Sequence, residues 1–212
     1  MDSFAALRRM MVDCQLRTYD VTDRAVLAAA DTVPREAFLP PDLSHLAYLD
    51  RSVAIPGTGR TLMAPMVVAR MIQFLELQPG ETVLEYGGGT GYGAALMALM
   101  GMEATLYEPD EAARTLAGPA LAAAGAAVTI TGTAPPPERF DAVLVSGACE
   151  IAPEPLFGLI KEEGRLIVVE GVGRAARVRL YQKTGASIAA RTVFDAAAPI
   201  LSEFKKVPGF VF

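Results

Sequence analysis

A glycine-rich turn between two apolar segments is the part of this sequence best suited to chemistry. Four glycines fall within the five positions Gly87-Gly88-Gly89-Thr90-Gly91, directly after the β-prone run Thr82-Val83-Leu84-Glu85-Tyr86. Glycine is needed where a chain turns sharply or where a ligand approaches the backbone closely. The next segment has helical spacing, and the free N–H groups at the start of a helix attract phosphates and other polar groups. The pattern predicts a loop that binds a nucleoside cofactor.

Two carboxylates indicate which cofactor this is. Glu85 precedes the first glycine, where the fingerprint of a dehydrogenase usually has an apolar residue. Glu108 ends the next predicted strand, 17 residues after Gly91, where a carboxylate can accept hydrogen bonds from both hydroxyls of a ribose. This order favours S-adenosylmethionine over a nicotinamide cofactor, which remains the alternative. Glu85 could instead accept hydrogen bonds from neighbouring backbone amides.

A third element brings small residues to the same place. The apolar run from Phe140 to Val145 predicts a buried strand that continues into Ser146-Gly147-Ala148. Ligands of open α/β sheets bind at the carboxyl ends of the strands. We therefore expect Ser146 to meet the glycine turn and both acids at one edge of the sheet.

The rest of the chain predicts an α/β fold. Strand patterns alternate with helical patterns over 91–100, 110–124 and 153–160, which favours a Rossmann-like, doubly wound, mostly parallel seven-stranded sheet. Only five residues separate the last two strands, so an antiparallel C-terminal hairpin is expected there. The predicted strands are Val83–Tyr86, Ala104–Glu108, Ala127–Thr131, Ala142–Ser146, Leu166–Glu170, Val178–Gln182 and Ile188–Phe194.

The N-terminal part has a different pattern. Residues 3–33 have helical spacing, with Thr22 as the expected N-cap of a second helix, and prolines and glycines then interrupt residues 34–60. Helical spacing returns over 64–77. We divide the chain into a helical and loop extension (1–60), packed on the main domain, and a cofactor-binding domain (61–212). The apolar tail Val207–Phe212 is expected to pack against the sheet or a partner chain.

Composition excludes several classes of function. The net charge of −5 argues against tight binding to nucleic acid, and the longest apolar run is too short to span a membrane. Two distant cysteines and a single histidine make a zinc site unexpected. We expect a cytoplasmic protein without a metal, either a monomer or a homodimer.

Several segments resemble the protein-L-isoaspartate O-methyltransferase family. The similarity covers most of the chain, and the two most specific segments are the "VPREAFLP" and "VLEYGGGTGY" runs. The similar segments are Gln15-Leu16-Arg17, Val33–Pro40, Ala47-Tyr48-Leu49-Asp50, Thr61-Leu62-Met63-Ala64-Pro65 and Gln78–Glu85.

The resemblance implies methyl transfer from S-adenosylmethionine to the carboxylate of an isoaspartyl residue, the first step in the repair of aged proteins. It places the segment 61–65 beside the reactive methyl group, and we expect Thr61, the Ala64 backbone and Ser146 to contact the acceptor. The expected cofactor contacts are Glu85, Tyr86, Gly87, Gly88, Gly89, Gly91, Tyr92, Glu108, Pro109, Gly132, Thr133 and Ser146.

Two departures from the family pattern leave an alternative open. Met63 stands where the family usually has a serine, and a thioether cannot donate the hydrogen bond of a hydroxyl. The segment Thr131-Gly132-Thr133 lacks the acid that the family commonly carries after its third strand. The alternative is a divergent, cofactor-binding homologue with another acceptor or without isoaspartyl catalysis.

Overall fold

A seven-stranded sheet forms the centre of the protein. The computed structural model describes residues 3–206 and orders the strands β5-β4-β3-β6-β7-β8-β9. The first five are parallel, whereas β8 runs antiparallel to both β7 and β9. The strands are β3 Thr82–Tyr86, β4 Glu103–Tyr107, β5 Val128–Thr131, β6 Phe140–Cys149, β7 Ile160–Glu170, β8 Arg177–Thr184 and β9 Ser187–Asp195, and a small separate pair comprises β1 Val53–Ala54 and β2 Thr61–Leu62.

This arrangement confirms the predicted seven-stranded, mostly parallel sheet with an antiparallel C-terminal hairpin, and it corrects some of the predicted bounds. Strand β7 begins six residues before the predicted Leu166, because Ile160 already pairs with Phe140. An irregularity in the pairing absorbs the intervening polar residues, and Glu163 adopts a positive φ of 58° there. The helix predicted over 153–160 is instead a short 3-10 helix, Glu154–Leu159, in which Pro155 has no N–H to donate.

Helices cover one face of the sheet. They are α1 Phe4–Met11, α2 Arg24–Thr32, α3 Pro65–Phe74, α4 Tyr92–Leu99 and α5 Glu111–Ala123. Helix α4 is apolar on all sides, and six of its eight residues are buried. On the opposite face, a second apolar cluster joins the sheet to the 3-10 helix 154–159 and to Leu201 and Phe204 near the C-terminus.

The N-terminal helices share the apolar core of the sheet. Met11, Val26 and Phe38 lie in one buried cluster with residues of β3, β4 and α4. The N-cap of α2 is Asp23 rather than the predicted Thr22, since the Asp23 carboxylate accepts hydrogen bonds from the amides of residues 25 and 26.

The division at residues 60 and 61 falls between β1 and β2, which pair with each other. The tail Val207–Phe212 lies outside the described residues.

Candidate cofactor site

The glycine turn connects β3 to α4 in tight contact with its surroundings. Gly91 precedes α4 with a φ of +85°, a conformation that glycine adopts without steric cost. A Cβ on Gly88 would lie 2.6 Å from Cγ and from Oε2 of Glu85, so no side chain fits there without displacing the acid. The turn therefore needs glycine for two separate reasons, backbone conformation and close packing.

The Glu85 carboxylate lies beneath the turn at the N-terminus of α4. It accepts hydrogen bonds from the amides of Gly93 (3.2 Å) and Ala94 (2.7 Å) and from the Ser146 hydroxyl (2.5 Å). Glu85 is only 2% exposed. The Glu85 carboxylate thus binds backbone amides of the chain itself, which is the alternative interpretation of the sequence. The Ser146 hydroxyl donates a hydrogen bond to the same carboxylate.

Burial raises the pKa of the Glu85 carboxyl to about 7, although its three hydrogen bonds act in the opposite direction. The folded protein therefore holds this proton more tightly than the unfolded chain, whose carboxyl has an ordinary pKa of 4.5. Stability from this group is present at low pH and is lost as the pH rises through 4.5 to 7.

We predict that Glu85→Gln removes this pH dependence. Between pH 5 and pH 8 the free energy of unfolding of the native protein should fall relative to the variant by about 2–3 kcal/mol, at about 1.4 kcal/mol per pKa unit. Urea unfolding at each pH measures the difference. Parallel curves for the two proteins would show that Glu85 does not titrate in this range.

Glu108 lies at the carboxyl end of β4 and faces the turn. One oxygen, Oε2, accepts a hydrogen bond from the Gly89 amide (2.7 Å), and the other, Oε1, accepts one from the Asp110 amide (2.8 Å). The Nε of Arg60 lies 2.9 and 3.0 Å from the two oxygens. Three N–H groups thus donate to this carboxylate, and the single Nε–H of Arg60 is shared between its two oxygens.

Arg60 was not among the predicted site residues. Its side chain is 4% exposed and joins Glu108 to Glu203, whose Oε1 lies 3.3 Å from Nη2. Burial alone would lower the pKa of the guanidinium, but the two carboxylates raise it above its ordinary value. Arg60 also contacts the turn, because a Cβ on Gly89 would lie 3.3 Å from the Arg60 Cβ. In the sequence, its position directly before the segment 61–65 is a feature that could have indicated Arg60 as a site residue.

The segment 61–65 follows Arg60 beside the turn. Thr61 belongs to β2 and is half-buried, and Met63 is buried. The Ala64 amide donates a hydrogen bond to the Ser52 hydroxyl at 3.2 Å. The carbonyl of Met63 accepts a hydrogen bond from the guanidinium of the fully buried Arg35. Ser52 and Arg35, which sequence reasoning did not select, thus hold the backbone of this segment.

The other predicted residues lie in different surroundings. Tyr86 packs against Tyr107 and Phe204, with ring centroids 5.0 and 5.9 Å apart. Tyr92 is buried between Phe38 and the Arg35 guanidinium, which lies 4.5 Å above its ring.

Pro109, Gly132 and Thr133 are exposed. The Arg114 guanidinium lies against Gly132 and donates to the Glu108 carbonyl at 2.8 Å. The structure therefore brings Glu85, Ser146, Glu108 and the turn together. The Tyr92 ring faces Phe38 and Arg35 instead.

Comparison with known proteins identifies the family. The model of the protein-L-isoaspartate(D-aspartate) O-methyltransferase family matches residues 8–107. A protein-L-isoaspartate O-methyltransferase of Methylorubrum extorquens is 43% identical over 172 residues, which cover 79% of this chain and 75% of that protein. The chain belongs to the protein-L-isoaspartate O-methyltransferase family. Protein-L-isoaspartate O-methyltransferase 1 of Rhodopseudomonas palustris is 39% identical over 88% of this chain and 78% of its own length.

Solved structures of this family share the fold. A protein-L-isoaspartate O-methyltransferase superposes with a TM-score of 0.77 at 23% identity and covers 92% of this chain, which spans 66% of that protein. A Plasmodium falciparum protein assigned to the same enzyme class, in complex with S-adenosyl-L-homocysteine, has a TM-score of 0.76 at 20% identity, over 96% of this chain and 100% of that protein. At these identities the likeness concerns the fold alone.

Neither a membrane-spanning helix nor a metal-binding cluster occurs within residues 3–206. No helix of this range is long and apolar enough to cross a membrane. The same residues contain no group of three or more histidine, cysteine, aspartate or glutamate side chains that could hold a metal ion.

Proposed function

We propose that this protein is an S-adenosylmethionine-dependent methyltransferase that methylates the carboxylate of L-isoaspartyl residues in damaged proteins. One observation carries the proposal: in a chain of this family, a buried carboxylate at the end of β4 faces a glycine turn at the end of β3. Glu108 and the Gly89 amide are in direct contact at 2.7 Å. The carboxyl ends of neighbouring parallel strands are where nucleoside cofactors bind in such sheets.

The residues of the site fit this cofactor in their chemistry. The Glu108 carboxylate is suited to the two hydroxyls of a ribose, and glycines 87 and 89 have no side chain of their own to keep a ligand from the backbone. The space above the turn is occupied in this structure by the chain itself, through Arg60 and Leu201. Binding therefore requires these two side chains to move.

The proposed reaction needs positioning more than acid–base chemistry. The cofactor supplies an electrophilic methyl group on a sulfonium. An acceptor carboxylate is already ionised at neutral pH, so no general base is required of the protein. The backbone of residues 61–65, held by Ser52 and Arg35, would fix the acceptor oxygen in line with the methyl group and exclude water.

We predict transfer of a tritiated methyl group from S-adenosylmethionine to a peptide that contains one isoaspartyl residue. The matched peptide with an ordinary aspartyl residue should take up no label, because its carboxylate is displaced by one methylene. The label should be released as methanol at alkaline pH, as expected of a methyl ester. Equal labelling of both peptides would contradict isoaspartyl specificity.

A second candidate function follows from Met63. This side chain is 3% exposed and stands where the family usually has a serine hydroxyl. The candidate is a methyltransferase of the same fold with another acceptor. Methyl transfer by Met63→Ser to the isoaspartyl peptide, together with no transfer by the native protein, would favour it.

We further propose a cytoplasmic protein with protein or peptide carboxylates as acceptors and no nucleic-acid partner.

A further inference from the structure

A short segment near the C-terminus lies across the carboxyl end of β6. We call residues 198–204 the C-terminal strap. The Pro199 carbonyl accepts a hydrogen bond from the Ala148 amide at 2.8 Å, and the Leu201 amide donates to the Ala148 carbonyl at 2.9 Å. Further along, the Glu150 amide donates to the Phe204 carbonyl at 3.0 Å. The strap is therefore held as an added, very short parallel strand.

Leu201 of the strap occupies the hollow above the glycine turn. A Cβ on Gly87 would lie 3.2 Å from Leu201 Cδ2, and one on Gly147 would lie 2.6 Å from its Cγ. Leu201 is only 4% exposed. Two glycines from neighbouring strand ends thus accommodate one leucine, at the place where the proposed function needs the adenosine.

Arg60 connects the strap to Glu108, the proposed ribose-binding carboxylate. Its Nε binds both oxygens of Glu108, and its two terminal nitrogens lie 3.3 and 3.5 Å from the oxygens of Glu203 on the strap. Glu203 is partly exposed, with 28% of its side chain accessible, whereas Glu108 is fully buried. The ion pair to the strap is accordingly the weaker half of this bridge, since solvent screens it.

We propose that the C-terminal strap is an autoinhibitory element that closes the cofactor site, with Leu201 in the adenosine space and Arg60 on the ribose-binding carboxylate. This inference rests on the proposed function, because it concerns access to the same site. Cofactor binding then requires Arg60 to leave Glu108 and the strap to leave β6. The apparent affinity for the cofactor is then the affinity of the open form multiplied by the fraction of molecules in which the strap is open.

The strap is suited to such opening. Few backbone hydrogen bonds attach the strap to β6 and to Glu150, which follows β6. Segments with few such bonds open locally at a low cost in free energy. A ligand that binds only the open form shifts the equilibrium toward it. Any interaction that withdraws Glu203 from Arg60 is expected to act in the same direction.

The test compares binding of S-adenosylhomocysteine to the full chain and two variants by isothermal titration. Leu201→Ala empties the hollow, and we expect it to bind at least tenfold more tightly than the native protein. The matched control is Leu156→Ala, another leucine of the same apolar cluster with 4% exposure, on the 3-10 helix 154–159. It should bind with native affinity, which separates closure of the site from a general loosening of the core.

Hydrogen exchange of the native protein provides the second readout. Saturation with S-adenosylhomocysteine should speed exchange of the Ala148 and Leu201 amides at least tenfold, because their bonds between the strap and β6 break. The strap proposal is overturned if the native protein binds S-adenosylhomocysteine while both amides keep their protection. It is also overturned if the native protein binds as tightly as Leu201→Ala. In either case the cofactor assignment stands. If neither protein binds, the cofactor assignment fails and the strap proposal fails with it.

Discussion

Replacing Glu108 with alanine is expected to lower the free energy of unfolding by about 3–5 kcal/mol, the usual cost of removing one partner of a buried ion pair. Arg60 would keep only the partly exposed Glu203, and the amides of Gly89 and Asp110 would lose their acceptor. Urea unfolding measures the loss. The Kd of the same variant for S-adenosylhomocysteine should rise more than tenfold, because a ribose would have no carboxylate to contact.

A double-mutant cycle with Arg60→Met separates the ion pair from the amide contacts. If Arg60 and Glu108 stabilise each other, the double variant should cost about 1–3 kcal/mol less than the sum of the two single variants. Strict additivity of the three values would show that the two side chains do not interact. Glu108→Gln, which keeps one acceptor oxygen, should fall between the native protein and the alanine variant.

Gly88→Ala is expected to destabilise the protein by about 2–3 kcal/mol, the cost of inserting a methyl group into a closely packed site. The new Cβ would lie 2.6 Å from both Cγ and Oε2 of Glu85, and Glu85 cannot withdraw without losing the hydrogen bonds at the N-terminus of α4. Thermal and urea unfolding provide the measurement.

The control for this substitution is Gly59→Ala. Gly59 also has an ordinary φ, and the nearest atom to its added Cβ, an Asp110 carboxylate oxygen, lies at 3.9 Å. Alanine there should leave stability unchanged or raise it by up to about 1 kcal/mol, since it restricts the unfolded chain. A loss as large as that of Gly88→Ala would show that glycine flexibility, not close packing against Glu85, determines the effect.

Local patterns predicted the sheet and part of the site. Alternation and apolar runs identified all seven strands, including β5 and β9, which are only partly buried. Glu108 could be predicted to face the turn because neighbouring parallel strands end at the same edge. The role of Glu85 was ambiguous, since a carboxylate at this place can bind either a ligand or the amides of α4.

Contacts between distant residues could not be predicted from local patterns. Arg60 and Glu203 are 143 positions apart, and nothing in either segment indicates that they meet. Leu201 lies in an irregular stretch whose pairing with Ala148 depends on how the chain returns after β9. The glycines at 87 and 147 are typical of ligand loops, yet the same lack of a side chain also accommodates a leucine of the chain itself.

The central claim is that an adenosyl group lies on the glycine turn with its ribose on Glu108. A crystal structure of the protein grown with saturating S-adenosylhomocysteine tests it most directly. We predict both ribose hydroxyls within hydrogen-bonding distance of the Glu108 carboxylate, with Arg60 and Leu201 displaced from the positions described above. An adenosine bound elsewhere, or absent while Arg60 still occupies Glu108, would contradict the claim.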